Sequence, residues 1–192
     1  MKLLIAIPTV DYIHHLFVES LNKLTRKLDV DGIDYDVKFQ SGTLIYLERD
    51  ALVKYAVQNK FTHMLWLDAD MVFPDDILDK FMKDYKPFVS CIYVSRHGNK
   101  NSVLFDDLLW SHRITKYPEE LFRIEGCGFG CVLMETKIPQ TIMDEHGTCF
   151  IPSARYGEDL AFCEKVLKHG YEMWANPNVI VGHIGNTIYY PD

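Results

Sequence analysis

Short apolar runs alternate with amphipathic stripes through the first half of this chain. Residues 3–7, Leu-Leu-Ile-Ala-Ile, are unbroken apolar sequence that stops at Pro8-Thr9. A run this short, closed by proline, predicts a strand buried on both faces. Phe17, Val18, Leu21, Leu24 and Leu28 then recur at helical spacing and predict a helix over 17–28. The alternation continues with a strand over 35–39, the loop Gln40-Ser41-Gly42, and a helix over 47–59 burying Leu47, Ala51, Leu52, Tyr55 and Ala56. A strand over 63–67 comes next, then a helix over 75–85 carrying Ile77, Leu78, Phe81 and Met82, and a strand over 88–94. Asp75 and Asp76 stand in that helix's first turn, where its dipole favours negative charge. Strands separated by helices at this spacing imply parallel βαβ units.

The second half is less regular. Residues 95–120 are polar, with Arg96-His97-Gly98-Asn99-Lys100-Asn101 reading as a loop. Short strands are predicted over 121–125 and 129–134, helices over 139–146 and 158–169, and strands over 172–174 and 179–181. No repeat or low-complexity linker interrupts the chain. The expectation is one α/β domain over 1–192, with a nucleotide-binding half over 1–94 and an acceptor and catalytic half over 95–192.

Composition narrows the function class. The chain has 192 residues, 48% hydrophobic and 24% charged, enough to bury a substantial core. A net charge of −7 argues against nucleic-acid binding but not against an anionic substrate, because a metal ion reverses the local field. The cysteines, Cys91, Cys127, Cys131, Cys149 and Cys163, are odd in number and form no CxxC pair, which favours reduced thiols and a cytoplasmic setting. Cys127 and Cys131 have no second Cys/His cluster nearby to complete a zinc site. The first apolar run is too short for a signal peptide, and no segment reaches the roughly 18 apolar residues of a membrane span.

The candidate chemistry begins at Asp68-Ala69-Asp70, which ends the apolar run Leu65-Trp66-Leu67. Ligands of open α/β sheets bind at the carboxyl ends of strands. Two hard oxygen ligands there suit Mg²⁺ or Mn²⁺ together with substrate phosphates. The alternative is that both acids open the loop and cap the helix after Pro74. Gly157-Glu158-Asp159 is an acidic pair at a helix start, which the dipole favours and capping alone could account for. Gly126-Cys127-Gly128-Phe129-Gly130 lacks both the P-loop ending and the Rossmann spacing, and close strand packing also accounts for its glycines.

Taken in order, Ile7-Pro8-Thr9, Asp68-Ala69-Asp70, the glycine-rich segment, Gly157-Glu158-Asp159 and His183 after the last strand resemble the GT-A glycosyltransferases, particularly small family-2-like enzymes of bacteria and phages. The resemblance implies a GT-A, Rossmann-like domain, its mostly parallel central sheet flanked by helices, with a small irregular sheet in the second half. It implies transfer of a sugar from a UDP- or GDP-sugar to a hydroxyl of a glycan, protein or small molecule, with inversion. Pro8, Thr9, Asp11, Arg49, Asp68, Ala69 and Asp70 would then bind the donor nucleotide. Asp68, Asp70 and His183 would hold the metal, with Asp159 as the base and Glu158 as its competitor or an acceptor ligand. Gly128 and Trp110 would face the acceptor, with His112, Tyr156 and Trp174 as further stacking candidates that core packing explains equally well. Arg49 would pair with Asp68 or reach base or phosphate, or else form a surface pair with Glu48 or Asp50. Acceptor recognition would draw on the 95–120 segment, an oligomeric partner or a longer protein. Two other readings stay open: a sugar-phosphate nucleotidyltransferase, against which the missing glycine-rich, arginine-bearing loop after the first strand counts, and a degenerate binding module without catalysis.

Overall fold

The first apolar run forms β1 (Lys2–Thr9), in which Leu3, Leu4, Ile5, Ala6 and Ile7 are completely buried. Each large side chain among them contributes about 1.5–3 kcal/mol by leaving water, which fixes β1 inside the sheet. The computed structural model describes the whole chain except residues 11, 84, 97–99, 186 and 192. Helix α1 (His15–Val30) buries a stripe of Phe17, Ser20, Leu21, Leu24 and Leu28, and the His14 ring caps it by accepting the Leu16 N–H. β2 (Asp34–Ser41) is a sheet edge and is only partly buried. Helix α2 (Ile45–Gln58) departs from simple amphipathicity, because its buried face carries Arg49 and Asp50 beside Leu52, Val53 and Ala56. Asp50 accepts the backbone N–H groups of Cys149 and Phe150 at 2.8 and 3.0 Å, tying a distant loop to the helix.

β3 (His63–Leu67) leads through the two acids into β4 (Met71–Val72), followed by α3 (Ile77–Lys83) and β5 (Phe88–Ile92). Residues after β5 form β6 (Leu104–Asp107), β7 (His112–Arg113), β8 (Phe122–Ile124), β9 (Gly126–Cys127) and β10 (Cys131–Glu135). Helices α4 (Lys137–His146) and α5 (Glu158–Lys168) precede β11 (Met173–Ile180), β12 (Gly182–Ile184) and β13 (Ile188–Tyr189).

Seven strands make the central sheet in the order β2-β1-β3-β10-β5-β11-β8. β1 pairs parallel with β2 and β3, and β5 pairs parallel with β11. β10 runs antiparallel between β3 and β5, and β8 is antiparallel at the far edge. The expected architecture is therefore present, with two reversed strands in an otherwise parallel sheet. The reversal of β10 has a simple cause: among the described residues no helix lies between β5 and β10 to return the chain to the opposite edge, and a parallel strand usually needs such a crossover. The two strands expected over 172–174 and 179–181 are one strand, β11, whose register shifts between Ala175 and Ile180. Asn176-Pro177-Asn178 lies at the shift: proline has no ladder donor, and the Asn176 side chain accepts the Asn178 N–H instead.

Two small sheets flank this one, β13-β12-β4 and β7-β6-β9. Apolar side chains fill both faces of the central sheet. Trp66, Phe129, Phe150 and Phe162 centre one cluster, and Phe17, Leu24, Phe81 and Val89 belong to the other. All five cysteines are free and buried. Among the described residues, no helix is long and apolar enough to cross a membrane.

Candidate active site

The carboxyl ends of β1, β3 and β5 lie at one edge of the sheet. β10 starts at that edge because it runs the other way, and α5 begins there too. A cleft of about 970 Å³ opens at this edge, lined by Pro8, Thr9, Arg49, Asp68, Ala69, Asp70, Arg96, Glu158 and Asp159 among others. Most of the side chains expected to bind the donor or carry the chemistry thus share one cavity. Asp11 lies outside the described residues, as do residues 97–99 of the predicted loop.

Arg49 is the electrostatic centre of the cleft floor. It is 2% exposed, and its Nη2 donates to Asp68 Oδ1 at 3.1 Å and lies 3.4 Å from Asp159 Oδ1. Its guanidinium carbon also sits 5.3 Å from the ring centre of Phe129 and 5.8 and 5.9 Å from those of Phe150 and Trp66. Aromatic faces stabilise a desolvated cation, so the aromatic cluster and the two acids jointly hold the charge. Arg49 therefore does not form the surface pair with Glu48 or Asp50. Burial works against its charge, yet Asp68 and Asp159 outweigh that and hold it protonated. Its Nε and Nη1 have no protein hydrogen-bond partner.

Both acids of the pair beside it titrate abnormally. Burial pushes Asp68 up to about 7, with the repulsion of Asp159 and Asp70 adding to it and Arg49 opposing it. Asp159 is likewise raised, by burial first, while Arg49 and the Phe129 N–H lower it and Glu158 raises it. Neither acid caps a helix. The N-cap of α5 is Gly157, with no side-chain cap bond, and Asp159 Oδ2 instead accepts the Phe129 N–H at 3.2 Å. That bond joins the start of α5 to the segment entering β10.

Asp70 faces the other way. Its Oδ2 pairs with Arg96 and lies 3.4 Å from His183 Nε2. β12 places the histidine: it pairs antiparallel with β4, setting His183 opposite Met71, and the Ile184 N–H donates to the Asp70 carbonyl at 2.8 Å. His183 Nδ1 donates to the Val94 carbonyl at 2.9 Å, so a neutral ring presents its Nε2 lone pair to Asp70. Although burial disfavours its charge, a hydrogen bond donated by the protonated ring to Asp70 raises His183, and His183 and Arg96 lower Asp70 despite its own burial. The donor set fits a divalent cation: one carboxylate oxygen, and one imidazole nitrogen whose other nitrogen is fixed by a backbone carbonyl. The Asp68 carboxylate is paired with Arg49, at 3.1 Å. Glu145, His146 and His169, and not these three, have their ligand atoms gathered within 4.8 Å.

The remaining predicted residues fall elsewhere. Trp110 is 79% exposed and does not line the cleft, nor do His112, Tyr156 and Trp174. The Tyr156 hydroxyl donates to the Leu108 carbonyl, a packing role, and Lys86 lies over the Trp174 ring. Gly128 is walled in by Tyr93: a Cβ there would sit 2.2 Å from the tyrosine oxygen. Tyr93, whose hydroxyl accepts the Gly130 N–H at 3.0 Å and whose ring stands edge-on to His183, has no sequence signal beyond its place in a strand. Arg96 had one, as a cation just beyond β5 at the ligand edge. Thr9 Oγ1, buried at the cleft wall, has no protein partner and is available to a ligand.

Neither a protein-family model nor a curated protein matches this sequence. Among solved structures, the chain is similar to protein A197 from STIV, with TM-score 0.62, 15% identity and coverage of 100% of this chain and 95% of that one. It is also similar to the catalytic domain of Drosophila β1,4-galactosyltransferase 7, crystallised with xylobiose, with TM-score 0.55, 11% identity, and 99% of this chain and 69% of that one covered. UDP-glucose pyrophosphorylase follows at TM-score 0.50 and 11% identity, over 91% of this chain and 72% of that one. At these identities the likeness establishes architecture, and the chain has a GT-A-like α/β fold shared by a glycosyltransferase domain and a nucleotidyltransferase.

Proposed function

We propose that this chain is a metal-dependent glycosyltransferase that moves a sugar from a nucleoside-diphosphate sugar to an acceptor hydroxyl, with inversion. The observation that carries the reading is the meeting of Arg49, Asp68, Asp70, Glu158 and Asp159 on one cleft at the carboxyl edge of the sheet. Pro8 and the unpartnered Thr9 hydroxyl form the wall that receives the nucleotide base. Asp68, held by Arg49, takes the ribose. Asp70 and His183 would hold Mn²⁺ or Mg²⁺, at the carboxylate that Arg96 now pairs with. A divalent ion bound there supplies Lewis-acid stabilisation of the diphosphate leaving group.

Asp159 is the base. Burial raises its affinity for a proton, and Arg49 and the Phe129 N–H fix its carboxylate. It takes the acceptor hydroxyl proton as that oxygen bonds the anomeric carbon and the bond to the diphosphate breaks. Glu158, the other acid of the turn, orients the acceptor.

A thermal-shift panel tests the reading with UDP- and GDP-sugars, with and without Mn²⁺. The expected result is stabilisation by one nucleotide sugar only when Mn²⁺ is present, lost in Asp70→Asn. Stabilisation by a nucleoside triphosphate plus sugar 1-phosphate, with pyrophosphate released, would replace it with a nucleotidyltransferase. No response to any nucleotide in Mn²⁺ would end both.

A further inference from the structure

Away from the cleft, the C-terminal ends of α4 and α5 meet. Glu145 and His146 occupy the last turn of α4, and His169 is the C-cap of α5. The Glu145 carboxylate reaches both rings: Oε2 lies 3.0 Å from His169 Nε2, and Oε1 lies 3.5 Å from His146 Nε2. The two imidazoles stand edge to face at 5.5 Å. One ligand atom from each of the three residues falls within 4.8 Å of the other two.

The tautomer of His169 makes this more than proximity. Its Nδ1 lies 2.7 Å from the Lys165 carbonyl, which can only accept, so Nδ1 carries a hydrogen. A neutral His169 therefore aims its Nε2 lone pair at a carboxylate oxygen 3.0 Å away. Two acceptors at that range need a positive centre between them. With metal–ligand bonds of about 2.0–2.2 Å, adjacent ligands of a tetrahedral site are about 3.3–3.5 Å apart. The observed contacts, 3.0 Å to one Glu145 oxygen and 3.5 Å to the other, lie near that spacing. A ring nitrogen fixed by a backbone carbonyl is also the usual outer support of a metal-ligating histidine.

The wider field has the same sign. Both helices present their negative dipole ends to the cluster, which favours a cation. The lysines of the last turn of α5 are engaged elsewhere: Lys165 donates to the Cys149 carbonyl, and Lys168 pairs with Glu164. His169 has a side-chain exposure of 12%, whereas Glu145 and His146 are open to solvent, so an ion can enter and keep a water ligand.

We propose that Glu145, His146 and His169 form a binding site for a divalent transition-metal ion, best suited to Zn²⁺, that staples the end of α4 to the end of α5. Two imidazoles and one carboxylate, with a fourth position left to water, form a recurrent zinc donor set. The site is distinct from the cleft. Glu158 and Asp159 stand at the opposite end of α5, which at 11 residues puts them about 16 Å away. The staple fixes the helix that presents those acids without touching the chemistry, and it does not depend on the glycosyltransferase reading.

The test is calorimetric titration of the full chain with Zn²⁺ alone, after chelator treatment, with thermal unfolding in parallel. It is run in wild type and in an Asp70→Asn/His183→Gln variant that removes the cleft's own ligands. The expected result is one Zn²⁺ bound in that variant, with a melting temperature raised by roughly 5–10 °C at a hundredfold excess over Kd. Glu145→Gln and His146→Gln, both surface changes that leave the fold intact, lower the affinity of this site more than about tenfold. If the double variant loses the fold, the same loss of one equivalent is read from wild type against His146→Gln. Absence of Zn²⁺ uptake would mean that a proton alone joins His169 to Glu145 and would overturn the proposal, as would uptake that is indifferent to both surface changes.

Discussion

Replacing Arg49 with methionine deletes a buried cation of the cleft floor while keeping much of the packing against Trp66, Phe129 and Phe150. Asp68 and Asp159, 3.1 and 3.4 Å from the guanidinium, then lose their shared counter-charge. At an effective dielectric of about 20, each contact corresponds to about 5 kcal/mol of Coulomb attraction, from which desolvation of the cation subtracts much. Truncating one partner of a buried pair costs about 3–5 kcal/mol in practice, so the Arg49→Met loss at pH 8 should fall there. In a chain of this size that is a drop of roughly 6–20 °C in melting temperature. The loss must depend on pH. Arg49 lowers the proton affinity of both acids, so without it both bind protons more tightly, and protonation relieves the uncompensated charge. The penalty is therefore smaller at pH 5 and grows as pH rises through 7 and beyond. Urea unfolding at pH 5 and pH 8, in wild type, Arg49→Met and Arg49→Met/Asp68→Asn, measures it, and the double variant should recover part of the loss at pH 8. A penalty below about 1 kcal/mol at both pH values, or one equal at both, would refute the account of Arg49 as the charge that holds the two acids.

Asp68 itself imposes a pH slope on stability. Its pKa near 7 in the folded chain lies above that of an unfolded carboxylate, so its contribution is complete below about pH 4 and is lost as pH rises to about 7, by up to about 4 kcal/mol. Asp68→Asn should flatten that slope in urea unfolding between pH 4.5 and 8, and an unchanged slope would assign it elsewhere. Gly128→Ala forces a methyl to 2.2 Å from the Tyr93 oxygen and should cost about 1–3 kcal/mol, less in a Tyr93→Phe background, as a double-mutant cycle by thermal unfolding would read. Asp159→Asn keeps an oxygen for the Phe129 N–H, so donor binding by calorimetry should persist while transfer to acceptor falls by at least about 100-fold; retained transfer would move the base to Glu158. His183→Gln should weaken the Mn²⁺-dependent thermal shift without altering any Zn²⁺ site at the ends of α4 and α5.

Local pattern made much of this molecule readable. The apolar runs that became β1 and β3 admit only an interior strand, and the stripe of α1 admits only a face against the sheet. Asp68 and Asp70 follow from β3 directly, since polar residues ending a buried strand must emerge at the sheet edge. The acids of α5 were visible for the same reason, as charges at a helix start. What these side chains do there was not visible. Periodicity reports which face of an element is buried but carries no record of the distant element that covers it. The direction of β10 depends on a missing crossover and the single course of β11 on the bulge at Pro177, and neither is a property of the local run. The partner of Arg49 depends on α2 packing over Trp66 and Phe129. The approach of His183 to Asp70 depends on β12 pairing with β4, and the meeting of Glu145 with His169 on two helix ends converging. Sequence therefore determined which runs become interior strands, which acids emerge at the edge and what charge they carry, but not that α2 buries Arg49 and Asp50 while Leu47 stays exposed. Only the tertiary structure decided which charges face one another, because that rests on long-range pairing and on a desolvation that exists only once the chain has closed.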